Sequence, residues 1–109
     1  MIKVESPGGD YTRSVSTRRG GFSASFLNNN RNKRSVGLDI SKPEGAEIVR
    51  RMALDADALV ENFKTGNLAR YKLAYDDLKE SNPKLVYCSV TGFGQTGPYA
   101  PRPGYDFLI

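Results

Sequence analysis

Two short apolar runs, Asp57-Ala-Leu-Val-Glu-Asn62 and Lys84-Leu-Val-Tyr-Cys-Ser-Val-Thr-Gly92, constrain the fold more than any other feature of the chain. Each has the length and apolar content of a short strand. The residues between them, 63–83, pattern as two short helical pieces. The first starts near Thr65 and includes Leu68 and Tyr71; the second holds Tyr75 and Leu78 and stops at Asn82-Pro83. A crossover of that length joins strands that lie parallel.

The same alternation extends upstream. Met1-Ile-Lys-Val-Glu5 alternates apolar and charged residues as a strand does, and Arg34-Ser-Val-Gly-Leu-Asp-Ile40 reads as a second strand. Ser41 is placed as an N-cap, Pro43 suits a first helical turn, and Glu44 completes a capping box. The helix that follows is expected to reach about Asp55. Ala46, Val49 and Ala53 share one face, with Ile48 and Met52 beside them. The order β-loop-β-α-β-α-β predicts an α/β fold, a partial Rossmann-like parallel sheet. Its short apolar third strand is expected to be buried, as parallel strands are. Ligands of such sheets gather beyond the carboxyl ends of the strands, here after Glu5, Glu61 and Val90.

At 109 residues the chain reads as a single partial domain, 1–109, with little core of its own. Completion by self-association is expected. From Tyr11 to Arg34 the pattern is irregular. This stretch carries Arg13, Arg18, Arg19, Arg31, Lys33 and Arg34 and no acidic residue, and it reads as a long basic loop, 11–34.

Composition removes several chemistries. With no histidine, Ser-His-Asp and Cys-His devices are excluded within the chain, and no metal site is expected. Cys88 is the single cysteine and reads as a packed core residue rather than a nucleophile. No apolar run is long enough to span a bilayer, and Met1–Glu5 lacks the apolar core of a secretion signal, so a cytoplasmic chain without a membrane partner is expected. The net charge of +4 calls for an anionic partner. Nucleic acid is not the expected one: Tyr11, Phe22 and Phe26 are thinly spread through the basic stretch, and no nucleic-acid-binding motif is present.

Candidate binding residues cluster after the third strand, in Glu61-Asn-Phe-Lys-Thr-Gly-Asn-Leu-Ala-Arg70. Taken alone, this stretch reads first as a core phenylalanine and a solvated arginine. The functional reading has Asn62 and Phe63 at the strand end, a helix N-terminus near Thr65, and Arg70 two turns on. Together these suit a phosphorylated nucleotide, with Phe63 stacked on a base and Arg70 forked onto a phosphate. The chain ends in Thr-Gly-Phe-Gly-Gln-Thr-Gly-Pro-Tyr-Ala-Pro-Arg-Pro-Gly104-Tyr105-Asp106 and then Phe107-Leu-Ile109. No Gly-Lys-Ser/Thr follows the glycines, so this is not a P-loop, and the spacing differs from GxGxxG. It is a loop whose glycines permit close backbone approach and whose prolines stiffen it.

Taken in order, IKVESPGGDYTR, LNNNRNKRSVGLDISKPEG, and DALVENFKTGNLARYKL through GFGQTGPYAPRPGYD resemble the class III CoA-transferase family. That family includes formyl-CoA:oxalate and carnitine-type CoA-transferases and the related alpha-methylacyl-CoA racemases. The resemblance covers nearly the whole chain apart from 17–26. It implies coenzyme A, or acyl-CoA as substrate, held at the carboxyl ends of a Rossmann-like sheet. On matching positions Asn62, Phe63 and Lys64 would line the CoA site and Arg70 would contact it. Leu38 and the residues to Ser41 would lie along the nucleotide end. Pro103, Gly104, Tyr105 and Asp106 would lie near the pantetheine and thioester.

Two positions depart from the family pattern. Some members carry an arginine directly after the first Val-Glu, where this chain has Ser6, which leaves Arg13 or the loop arginines as candidates to replace it. The racemase branch tends to place histidine where Tyr105 stands, which favours the transferase branch. The family's nucleophilic aspartate falls beyond Ile109, so the resemblance assigns no catalytic residue to this chain, Asp106 included, and predicts no turnover from it alone. Phe107, Leu108 and Ile109 would begin a further helix. Their need for cover predicts a homodimer, or docking on a related chain as a non-catalytic interaction module.

Overall fold

The structure, a computed structural model, describes residues 1–15 and 18–105, with Arg18 and Arg19 described by their backbone. It is mixed α/β and divides into two compact units, Met1–Gly45 and Ala46–Ile109. Among the described residues no helix is long and apolar enough to cross a membrane. The expectations for Asp106 and for the Phe107–Ile109 segment lie outside the described residues.

In the first unit β1 (Ile2–Glu5) pairs in parallel with β4 (Arg34–Gly37), with Ile2 opposite Arg34 and Val4 opposite Val36. Alternation puts Ile2 and Val4 on one face and Lys3 and Glu5 on the other. The polar face is the covered one. Ile2 and Val4 are exposed, whereas Glu5 is buried. Its carboxylate accepts from the Asp10 N–H at 2.8 Å, from Arg13 Nε at 2.9 Å and Nη2 at 2.6 Å, and from the Ser35 hydroxyl. The Lys3 ammonium pairs with Asp10. The Arg13 guanidinium also lies 4.1 Å from the centre of the Phe26 ring, with Lys3 at 5.1 Å.

The stretch from Tyr11 to Arg34, read from sequence as an irregular basic loop, holds local structure. A 3-10 turn spans Tyr11–Arg13, its start capped by the Asp10 carboxylate. A two-residue turn at Gly20-Gly21 joins β2 (Arg18–Arg19) to β3 (Phe22–Ser23). Both glycines take positive φ, 59° and 85°, the left-handed backbone that a tight hairpin needs. Helix α1 (Ala24–Asn30) follows, and the buried Ser23 hydroxyl caps it by accepting from the Phe26 N–H at 3.3 Å. The three asparagines hide this helix from propensity; the cap and the burial of Phe26 under Arg13 and Lys3 make it.

Helix α2 (Pro43–Leu54) lies where its apolar period places it. Its entry differs from expectation. The Ser41 hydroxyl donates to Asp39 at 2.6 Å, and the Ser41 N–H meets the same carboxylate oxygen at 3.0 Å. A turn built on Asp39 thus replaces the Ser41 cap.

In the second unit β5 (Ala58–Glu61) pairs in parallel with β6 (Val86–Ser89), as the crossover requires. The core gathers Ala53 from α2, Leu78 from the single helical turn α3 (Tyr75–Leu78), and Leu85, with Leu59 and Tyr87 packed against them. The side-chain amide of Asn82 donates to the carbonyls of Ala53 and Ala56, each at 2.9 Å, and so closes the end of α2. The other face of the pair is open. Val60 is 69% exposed and Val86 64%, and Cys88 is exposed beside them. This corrects two readings, that of a fully buried third strand and that of Cys88 as a core residue. An apolar run identifies a strand but not which of its faces is covered.

Candidate functional site

The segment that leaves β5 carries four of the predicted residues. The Glu61 carboxylate accepts from the Phe63 N–H at 2.8 Å and fixes the turn out of the strand. Asn62, Phe63 and Lys64 then stand exposed. Phe63 is 41% exposed, so it is not the core residue that composition alone favours. A tight turn follows, with the Asn67 N–H bonded to the Lys64 carbonyl at 2.9 Å and Gly66 at its corner.

No α-helix begins at Thr65. The chain forms only a four-residue 3-10 helix, Leu68–Tyr71, without a side-chain cap, and Lys72 ends it in the left-handed conformation. The expected helix N-terminus, and the dipole argument built on it, therefore fall away: a single 3-10 turn aligns too few peptide units. What remains is side-chain chemistry. Arg70 is exposed on that turn, and neither it nor Lys64 makes an ion pair or side-chain hydrogen bond among the described residues.

Arg13 differs in this respect. Its guanidinium is committed to Glu5 through two nitrogens, and that contact holds the Glu5 carboxyl far below the usual carboxylate range against the opposing effect of burial. As a substitute for a phosphate-binding arginine after β1, Arg13 is already occupied. Leu38 is half-buried in the first unit, its N–H bonded to the Glu5 carbonyl at 2.8 Å, which continues the β1–β4 ladder.

The loop after β6 carries the other two predicted residues. The Val90 N–H bonds to the Glu61 carbonyl at 2.8 Å and extends the pairing by one step. Beyond it the Phe93 and Tyr99 rings meet with centroids 5.8 Å apart, and the Arg102 guanidinium lies 4.6 Å from the Tyr99 ring centre. Gly104 returns beside Gly92, and Tyr105 is 71% exposed. The Thr65 hydroxyl donates to the Ala100 carbonyl at 3.0 Å. That bond ties the loop to the segment bearing Asn62, Phe63 and Lys64.

A cleft of about 220 Å³ opens in the same unit, lined among others by Glu61, Lys64, Thr65, Leu68, Tyr75 and Tyr87. Lys64 is the one predicted site residue in it. Drug-sized ligands occupy pockets of about 300–1,000 Å³, so this cleft would take a part of a large ligand rather than the whole. Tyr87 donates to the Leu73 carbonyl at 2.9 Å and meets Tyr75 edge-on, with ring centroids 6.0 Å apart. Burial, assisted by the charges of Glu61 and Asp77, pushes the Tyr87 hydroxyl up to about 12, so it stays protonated. Sequence reasoning placed Thr65 here only as a helix start and missed its bond to the loop, and it missed Gly92 and Tyr87 as parts of this region. A threonine in a Lys-Thr-Gly turn and a glycine just past a strand are the only signals that could have marked the first two.

Comparison with known proteins agrees on the family. A family profile described as CoA-transferase family III matches residues 1–109. The chain is 50% identical to the succinate–glutarate CoA-transferase of Agrobacterium fabrum, over 100% of this chain and 29% of that protein. It is 46% identical to the succinyl-CoA:glutarate CoA-transferase of Mus musculus, over 99% of this chain and 25% of that protein. Among solved structures, a CAIB/BAIF family protein from Brucella suis superposes with a TM-score of 0.90 at 52% identity, covering 98% of this chain and 30% of that one. The chain thus spans between a quarter and a third of the length of these relatives. The match along the whole chain, in sequence and in fold, makes it a member of CoA-transferase family III.

Proposed function

We propose that this chain supplies part of the coenzyme A site of a class III CoA-transferase, whose reaction moves CoA from an acyl-CoA to a free carboxylate. The observation that carries the reading is the exposed segment from Asn62 to Arg70. It offers an amide, an aromatic face and two cations that make no ion pair or side-chain hydrogen bond among the described residues, within nine consecutive positions. Coenzyme A presents an adenine and three phosphates, and such a segment matches both: Phe63 stacks on the base, and Arg70 and Lys64 face phosphate oxygens. Leu38 would flank the nucleotide, and Gly104 and Tyr105 would approach the pantetheine and thioester end. The names of the relatives point to dicarboxylates such as succinate and glutarate as the acyl groups exchanged.

Titration calorimetry of the chain with coenzyme A tests this. Saturable binding is expected, and Arg70→Ala and Asn62→Ala should weaken it. A hydrogen bond to a charged group is worth about 1.5–3 kcal/mol, so the arginine variant should lose roughly tenfold to a hundredfold. A folded chain that binds no coenzyme A would overturn the reading for this chain.

A second reading rests on the open apolar face of β5 and β6, where Ala58, Val60, Val86 and Cys88 are exposed together. It makes the chain an interaction module that forms a homodimer or docks on a related chain. A monomer by light scattering at high concentration, together with coenzyme A binding, would leave the first reading alone standing.

A further inference from the structure

The loop after β6 is braced by contacts of its own. The Ala100 N–H bonds to the Gly97 carbonyl at 3.2 Å and the Arg102 N–H to the Tyr99 carbonyl at 2.9 Å, while the Tyr99 ring meets Phe93 at a tilt and Arg102 through its guanidinium. In a loop braced in this way, the points where it is held bear on where its end lies. Two features bear on where its end lies, one joining it to the segment after β5 and one within the loop itself. One is the hydrogen bond from the Thr65 hydroxyl to the carbonyl of the buried Ala100. The other is a backbone approach of Gly92 to Gly104. A Cβ at position 92 would sit 2.4 Å from the Gly104 Cα and 2.9 Å from its nitrogen, far inside van der Waals contact. Both obstructing atoms are backbone, so no side chain can swing aside.

We propose that Thr65 and Gly92 are positioning residues. Together they set where Gly104 and Tyr105 sit relative to the Asn62–Lys64 segment, and so hold two separate parts of the coenzyme A site in register. This rests on the coenzyme A reading above. Neither residue needs to touch the ligand. Thr65 lies directly after Lys64 and carries the bond that spans to the loop; Gly92 lies at the loop's root and leaves room for its return. The arrangement also explains why Gly92 must lack a side chain although its backbone is not left-handed. The requirement is space, not φ.

Hydrogen exchange and calorimetry on the same variants test the proposal. Thr65→Val removes the donor while keeping the shape, Thr65→Ser restores it, and Gly92→Ala forces the loop off its seat. Losing a hydrogen bond worth about 1 kcal/mol should speed exchange of the Ala100 and Arg102 amides roughly fivefold in Thr65→Val. Coenzyme A affinity should fall by a similar factor, and Thr65→Ser should recover both. Gly92→Ala should show the larger loss, and if that variant fails to fold the two threonine variants decide the matter. Faster exchange with unchanged affinity would mean that Thr65 only stabilises the loop, which overturns the positioning role. Unchanged exchange would show that the bond does not fasten the loop and overturns it as well. Absence of coenzyme A binding by the unmodified chain would instead sink the coenzyme A reading, and with it the register claim, while the exchange rates would still report whether the loop is fastened.

Discussion

Asn82 offers the sharpest test of how the second unit is held together. Its amide nitrogen donates to the Ala53 and Ala56 carbonyls, and its amide oxygen accepts from the Lys84 N–H at 3.3 Å. One side chain therefore closes the end of α2, whose last carbonyls have no helical partner, and steers the chain into β6. Each donated bond contributes about 1 kcal/mol net, so Asn82→Ala should cost about 2 kcal/mol. For a domain of this size that lowers the melting temperature by roughly 8–16 °C. Asn82→Asp separates this account from simple packing. An aspartate keeps the size and can still accept from Lys84, but at neutral pH it turns an anion toward two carbonyl oxygens. It should therefore be less stable than the alanine variant, by about 1 kcal/mol or more. Near pH 3, where the new carboxyl gains a proton and a donor, the gap between the two variants should narrow. Thermal melts followed by far-UV circular dichroism read all of these. An aspartate variant as stable as the alanine variant at neutral pH would refute the claim that Asn82 acts by donating to the helix end.

Two further outcomes concern the buried carboxylate of the first unit and the exposed thiol on β6. The Glu5 carboxyl is held far below its ordinary 4.5, chiefly by Arg13, and Asp10 falls from 3.8 to about 2, chiefly through Lys3. A depressed carboxyl contributes stability above its unfolded value and loses it as pH falls toward its folded one, so melting temperature should drop as pH is lowered below about 4.5. Glu5→Gln should be less stable at neutral pH and show a shallower acid slope; parallel slopes for the two proteins would show that Glu5 is not the group responsible. Cys88 is exposed on β6, so a maleimide should label it in the folded chain nearly as fast as in urea. Strong protection would mean that the β5–β6 face is covered in solution.

The regular elements were legible in sequence where one local rule decided them. The 3.6-residue period of Ala46, Val49 and Ala53 marks α2, and the runs at Ala58–Glu61 and Val86–Ser89 mark a parallel pair. Elements that depend on distant partners were not legible. Helix α1 has a poor helical sequence and exists because Ser23 caps it and because Phe26 lies beneath Arg13. The 3-10 turn at Leu68–Tyr71 took the place of a helix because the chain reverses at Gly66 and again at Lys72. In the candidate site the polar residues Asn62, Lys64 and Arg70 were visible as types. The fastening of the loop by Thr65 and Gly92 was not, because it joins positions that no sequence window spans.

Net charge was the weakest guide of all, and the reason bears on where an anion can bind. The net charge of +4 does not say which cations are unpaired, and several are neutralised by neighbouring carboxylates within the molecule. Lys3 and Arg13 serve Asp10 and Glu5, Arg50 pairs with Glu47, and Lys79 with Asp76. The pairs on α2 and α3 are exposed and contribute little to stability. Those around Glu5 are different, since they neutralise a buried carboxylate and cannot be lent to a ligand without leaving that charge unpaired. A phosphate would therefore have to displace Arg13 from Glu5 at a cost well above that of engaging an idle cation. Among the described residues Lys64 and Arg70 make no ion pair, like Arg31, Arg34 and Arg51, and what sets these two apart is that they stand on one exposed segment beyond β5. Anion recognition by this chain is thus set less by how many cations it carries than by which of them its own carboxylates leave unclaimed.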